Sequence, residues 1–202
     1  MSHYPEARFL TSANAASQFV ADSGREVAFA GRSNAGKSSA INRIVNRRQF
    51  ARTSRTPGRT QLVNFFSLGG DRRLVDLPGY GFARVADATR RHWQTLLEAY
   101  FEQRDSLAGL ILVVDIRRGL TDIDWQMIEY AEAVRLPVHV LLTKSDKLKR
   151  AEAARALRAA RDALGDRATV QTFSATKRDG EQDARTVLDD FLAAKKAPER
   201  CG

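Results

Sequence analysis

Cysteine is almost absent: the 202 residues contain one, Cys201. That excludes a disulfide framework and a metal site built on cysteines. A reducing, cytoplasmic setting is the simplest expectation. Long apolar runs are missing too. The longest, such as 109–114 and 137–142, fall far short of the ~20 residues that a membrane helix needs, so no membrane partner is expected. No apolar signal core follows the N-terminus; residues 11–19 are Ala/Ser-rich like a transit peptide, and a solvated leader helix is expected there. Acidic residues vanish between positions 27 and 70, while Arg32, Lys37, Arg43, Arg47, Arg48, Arg52, Arg55 and Arg59 all fall in that window. The net charge is +9, and only seven of the 33 basic residues are lysines. An arginine excess follows codon bias in a GC-rich genome as readily as function. An acid-free stretch of this length points instead to a polyanionic partner, with phosphate as nucleotide or RNA backbone the obvious candidate.

Hydrophobic residues make up 43% of the chain and charged residues 28%, which excludes a wholly disordered chain. The length suits one domain. The expected division is an N-terminal extension at 1–24, a single domain at 25–196 and a short tail at 197–202. Short apolar runs alternate with helical periodicity, the pattern of βαβ units around a mostly parallel sheet. Strands are predicted at 27–30, 61–68, 72–76, 110–114, 138–142 and 168–173. Helices are predicted at 37–48, 89–102, from 121 onward, 150–164 and 183–195. Gly69-Gly70-Asp71 reads as a hairpin turn, so one of the six strands should run antiparallel. The expected fold class is α/β, a three-layer P-loop NTPase fold with helices on both faces of a six-stranded sheet.

Gly31-Arg32-Ser33-Asn34-Ala35-Gly36-Lys37-Ser38 fits G-x-x-x-x-G-K-[ST] between a buried strand and a helix. Glycines let backbone N–H groups curl around phosphates, and the helix N-terminus adds its dipole. Lys37 can reach the β- and γ-phosphates, and the Ser38 hydroxyl can ligate Mg²⁺. Asp76-Leu77-Pro78-Gly79 follows a strand and matches D-x-x-G: the carboxylate can hold Mg²⁺ through water, and the Gly79 N–H can sense the γ-phosphate. Thr143-Lys144-Ser145-Asp146 ends another strand, where ligands of doubly wound sheets bind. A carboxylate at Asp146 can accept two hydrogen bonds from guanine's ring N–H and amine, a donor pair that adenine lacks, while Lys144 can cover the base. Ser174-Ala175-Thr176 follows the last strand and supplies a loop whose backbone N–H can meet the guanine carbonyl. Thr53, Thr56 and Thr60 compete to complete the Mg²⁺ shell; Thr60 is expected, because the following strand anchors it.

These strings resemble the EngB family of bacterial ribosome-assembly GTPases, within the TrmE–Era-like P-loop GTPases. GRSNAGKSS at 31–39, TSRTPGRTQLVNFF at 53–66, DLPGYGFA at 76–83, TKSD at 143–146 and SAT at 174–176 carry the likeness. The resemblance implies GTP and GDP as ligands, guanine contacts at Phe173, Ser174 and Ala175, Mg²⁺ held by Ser38 and Thr60, and a first switch at Gly58, Arg59, Thr60, Gln61 and Leu62. It implies a second switch at Asp76–Gly79, with Lys37, Thr60 and Gly79 serving hydrolysis. It also implies a role in large ribosomal subunit assembly, with rRNA met through the basic surface, and a link to cell division and septation. Tyr80 stands where Ras-type GTPases place a water-orienting Gln, so slow intrinsic hydrolysis is expected. Asn34 resembles the Asn with which related GTPases hold K⁺, or it only caps the turn.

Two function classes compete: a GTP-hydrolysing switch, and a GTP-sensing RNA-binding module whose turnover is incidental. A P-loop kinase or ATPase would need adenine recognition, against which Asp146 argues. Arg47-Arg48, Arg72-Arg73, Arg90-Arg91 and Arg117-Arg118 are either solvated faces or RNA contacts. His3, His92 and His139 lack ligand company and read as structural or solvated. A monomer is expected.

Overall fold

Unbroken apolar runs become strands buried on both faces. The computed structural model describes residues 3–51, 62–81 and 87–194. Its strands are β1 (Arg8–Ala13), β2 (Arg25–Gly31), β3 (Val63–Gly69), β4 (Arg72–Asp76), β5 (Leu107–Asp115), β6 (Val138–Thr143) and β7 (Thr169–Thr172). Its helices are α1 (Lys37–Ile44), α2 (Asp87–Gln103), α3 (Asp122–Ala133), α4 (Arg150–Leu164) and α5 (Glu181–Ala193). The strands form one sheet in the order β1-β3-β4-β2-β5-β6-β7, and β3 alone runs against its neighbours.

Side chains alternate across this sheet as strand geometry requires. Along β5, Leu110, Leu112 and Val114 enter a core with Leu97 and Tyr100 of α2 and Met127 and Ile128 of α3. Ile111 and Val113 enter the opposite core with Ile41 and Ile44 of α1 and Leu188 and Leu192 of α5. Each such side chain contributes roughly 1.5–3 kcal/mol by leaving water. The three-layer arrangement expected above is therefore present.

The sheet has seven strands rather than six, and the expected leader helix does not form. Arg8–Ala13 pairs antiparallel with β3, followed by a short 3-10 turn at Ala16–Gln18. The exposed backbone edge of β3 takes a partner, which outweighs the weak helical preference of a short Ala/Ser run. Helix α1 also ends before 48. Asn46 turns left-handed at φ 55, and the N–H groups of Asn46 and Arg47 return to the carbonyls of Arg43 and Asn42. This Schellman closure stops the helix one turn early.

At the pole of the sheet away from the strand C-termini, Glu26 is fully buried. It accepts from Arg73 Nε at 2.6 Å, from the Arg104 guanidinium and from the Tyr100 hydroxyl at 3.2 Å. Arg104 also donates to the Val20 carbonyl at 2.6 Å, fastening the segment before β2. The opposite pole is free for loops.

Candidate functional site

At that pole, β2 passes through residues 32–36 into α1. Gly36 caps the helix at φ 99, a left-handed conformation that strains any residue with a Cβ. Helix α1 opens without an acid in its first turn and without a side-chain cap. Its N-terminal dipole and N–H groups thus favour an anion. The Lys37 ammonium pairs with the Asp76 carboxylate at the end of β4. Gly79 lies against the loop, because a Cβ there would meet Ser33 Oγ at 3.0 Å. The Ser33 N–H donates to the Tyr80 carbonyl at 2.9 Å, and the Leu77 N–H donates to Phe29 at 3.0 Å. The sequence-predicted phosphate loop and D-x-x-G segment are therefore in contact.

The third motif is brought to the same place. The Thr143 hydroxyl donates to the Ala35 carbonyl, tying the end of β6 to the loop. Lys144, left-handed at φ 61, donates through Nζ to the Asn34 carbonyl at 2.5 Å and to Asp115 Oδ2 at 2.9 Å. Asp146 Oδ1 accepts from the Ser174 hydroxyl at 2.6 Å, and Ser174 is fully buried. That bond, with Lys147 adding to it, holds the Asp146 carboxyl below its ordinary value, so it stays an acceptor. The Ser145 N–H reaches the Phe173 carbonyl at 3.2 Å, joining the two segments expected to hold guanine.

Gly58, Arg59, Thr60 and Gln61 lie outside the described residues, as do Thr53, Thr56, Arg52 and Arg55; Leu62 is described and half-buried. Arg47 is committed within the fold, donating to the carbonyls of Pro5 and Ala7. That removes it from the arginines expected at RNA, whereas Arg48 is exposed.

Two site-shaping residues escape the motif reading. Asp115 ends the central strand, accepts both Arg117 Nε and Lys144, and has its carboxyl held well below the usual range, chiefly by Arg117. Its place at a strand C-terminus was the available signal. Arg43 of α1 donates Nε–H to the Ala175 carbonyl at 2.9 Å, bracing the loop after β7. No motif marks it.

Among the described residues, no group of three or more His, Cys, Asp and Glu gathers as a metal site. A cation beside Ser38 and Asp76 would therefore take most of its oxygens from phosphate and water, which is how Mg²⁺ is usually held. The hard oxygen donors present fit that ion.

Residues 26–144 match the family described as 50S ribosome-binding GTPase. The chain is 53% identical over 194 residues to "Probable GTP-binding protein EngB" of Nitrosococcus oceani, covering 95% of this chain and 97% of that one. A crystal structure of a probable GTP-binding protein engB superposes with a TM-score of 0.67 at 21% identity, over 83% of this chain and 98% of that chain. Era in complex with MgGDPNP and nucleotides 1506–1542 of 16S ribosomal RNA superposes at 0.63 and 18% identity, over 88% of this chain and 59% of Era. At such identities these two likenesses speak for the fold.

Proposed function

The chain belongs to the EngB family of P-loop GTPases, and from that premise we propose a GTP-hydrolysing switch that acts in large ribosomal subunit assembly and supports cell division and septation. One observation carries the nucleotide reading. Lys37, Asp76 and the Ser174-held Asp146 stand at the ends of neighbouring elements, bound to one loop through Thr143 and Lys144. In this reading Gly31–Ser38 wrap the phosphates, and Lys37 leaves Asp76 to neutralise the β- and γ-oxygens. Asp146 accepts from guanine, with Phe173, Ser174 and Ala175 lining the far side of the base.

Mg²⁺, when bound, would neutralise charge developing on the phosphate oxygens, with Ser38 and Thr60 as ligands and Asp76 acting through water. Gly58, Arg59, Thr60, Gln61 and Leu62 form the first switch. Asp76, Leu77, Pro78 and Gly79 form the second, the Gly79 N–H reporting the γ-phosphate. For Asn34, exposed and left-handed in the loop, a K⁺-holding role rests on the family resemblance alone.

Support for the ribosomal partner comes from the family description and from the rRNA in the Era complex. A cytoplasmic monomer fits this role. No described helix is long and apolar enough to cross a membrane. The second reading, a GTP-sensing RNA-binding module, is favoured by Tyr80, whose hydroxyl is buried against Asp124 instead of facing an attacking water. GTPase rates with and without large-subunit particles separate the two. A strong rise supports the switch; unchanged turnover with tight, GTP-dependent particle binding supports the module.

A further inference from the structure

A cavity of about 360 Å³ opens beside the phosphate loop, between residues 32–35 and the turn that follows β5. The end of β5 at Val113 and Val114 borders it, and Arg32, Arg117, Arg118 and Lys144 contribute cations. Lys37, Ser38, Asp146 and Ser174 do not line it. It shares residues 32–35 and Lys144 with the nucleotide cradle and extends from them to Arg117, Arg118 and Gly119 in the turn after β5.

Its charges do not cancel. Asp115 already holds Arg117, through Nε at 2.9 Å and the terminal nitrogen at 2.7 Å, and Lys144 at 2.9 Å. Asp124, the other acid in the lining, accepts the Tyr80 hydroxyl, the Thr121 N–H and the Thr121 hydroxyl. Among the described residues, Arg32 and Arg118 have no carboxylate partner. Two guanidinium forks thus meet the cavity unneutralised, the geometry that matches phosphate oxygens bidentately.

The cavity is also joined to the second switch. Arg32 crosses Gly81 so closely that a Cβ there would fall 2.6 Å from its Nε, and Gly81 is left-handed at φ 77. The backbones of Arg32 and Tyr80 form a parallel bridge. A shift of residues 79–81 on γ-phosphate binding would carry Arg32 with it.

We propose that this cavity receives a phosphodiester of RNA between Arg32 and Arg118, and that its affinity follows the nucleotide state through Gly79, Tyr80 and Gly81. The second clause rests on the GTP reading given above. RNA is favoured over an acidic protein because the excess charge is extended. The net charge is +9, and Arg48 and Arg118 are both exposed. Affinity from counterion release grows with each phosphate neutralised along such a surface.

Anisotropy with a fluorescent uridine oligonucleotide about 20 nucleotides long, read across salt, tests this on the full chain loaded with GDP or GTPγS. Arg118→Gln should weaken RNA binding several-fold and flatten the log–log salt slope by about 0.7, while Arg118→Lys keeps most of the slope. GDP affinity should not change, and wild type should bind RNA differently in the two nucleotide states. Arg158→Gln, an exposed arginine of α4, should have little effect. An Arg118→Gln protein that binds RNA like wild type overturns the cavity, as does equal loss in Arg158→Gln. Polyglutamate that competes at equal charge and depends on Arg118 assigns the cavity to an acidic protein. Equal RNA affinity in both nucleotide states overturns the coupling. Failure of wild type to bind either nucleotide overturns the site reading itself.

Discussion

The Tyr80 hydroxyl donates to Asp124 Oδ1 across 2.6 Å, joining the residue after Gly79 to the first turn of α3. Both side chains are almost fully buried. Burial, then the Asp124 charge, pushes the phenol well above its ordinary value, so it remains a donor at any physiological pH. The same residue accepts the Ser33 N–H through its carbonyl. Tyr80 therefore ties the phosphate loop and α3 together, with its hydroxyl committed to Asp124.

Tyr80→Phe should lower stability by about 1–3 kcal/mol, the penalty for leaving an Asp124 oxygen buried and unpaired. Urea unfolding measures it. Basal GTP hydrolysis should stay within a few-fold of wild type; a loss of tenfold or more would place the hydroxyl in the chemistry.

Asp146→Ala should abolish the preference for GTP over ATP. Two charge-assisted hydrogen bonds vanish together, each worth about 1.5–3 kcal/mol. Competition binding reads the ratio, and a wild-type ratio would show that guanine is chosen elsewhere.

Ser38→Ala should weaken GTP binding in Mg²⁺ far more than in EDTA, because a hard oxygen ligand is lost. Titrating Mg²⁺ against nucleotide affinity separates this from a general loosening of the loop. An unaltered Mg²⁺ midpoint would point to another ligand.

Arg43→Gln should weaken GDP and GTP alike, by about 1 kcal/mol, since it frees the Ala175 carbonyl from its brace. Calorimetry on both nucleotides checks the equality. A loss confined to GTP would mean that Arg43 acts through the switches instead.

His139 supplies a pH signature. It is buried between Thr169 Oγ1 at 2.6 Å and Gln171 Oε1 at 3.0 Å, and burial lowers its pKa from 6.5 to about 4. Between those values the unfolded chain binds the extra proton, so stability is full above about pH 6.5 and falls as pH drops, by roughly 1.4 kcal/mol per unit. His139→Gln should flatten that slope between pH 6.5 and 5. Parallel slopes would show that other groups carry the dependence.

The motifs were legible because their chemistry needs fixed spacing. Gly31–Ser38, Asp76–Gly79, Thr143–Asp146 and Ser174–Ala175 all lie at strand C-termini, where the structure brings them into contact. Continuous apolar runs likewise marked β5 and β6, which are buried on both faces. What escaped depends on distant partners. Arg8–Ala13 is a strand only because β3 offers an edge, and its own residues alternate too weakly to announce it. The end of α1 turns on Asn46 adopting a left-handed angle, which an Asn permits without requiring. Arg43 and Arg47 looked like members of one basic stretch, yet each is aimed at backbone carbonyls by the packing around it.

The edge strand sets an order of events during synthesis. β1 leaves the ribosome before its partner β3, which begins at Val63, and the hairpin to β4 must form before that edge exists. Tyr4 waits longer still, for Asp189, 185 residues later, which its hydroxyl meets at 2.9 Å. Closing so long a loop gives no return until the rest of the sheet is in place. The residues around β1 are thus made early and secured late, and they fasten to α5 once that helix has been made.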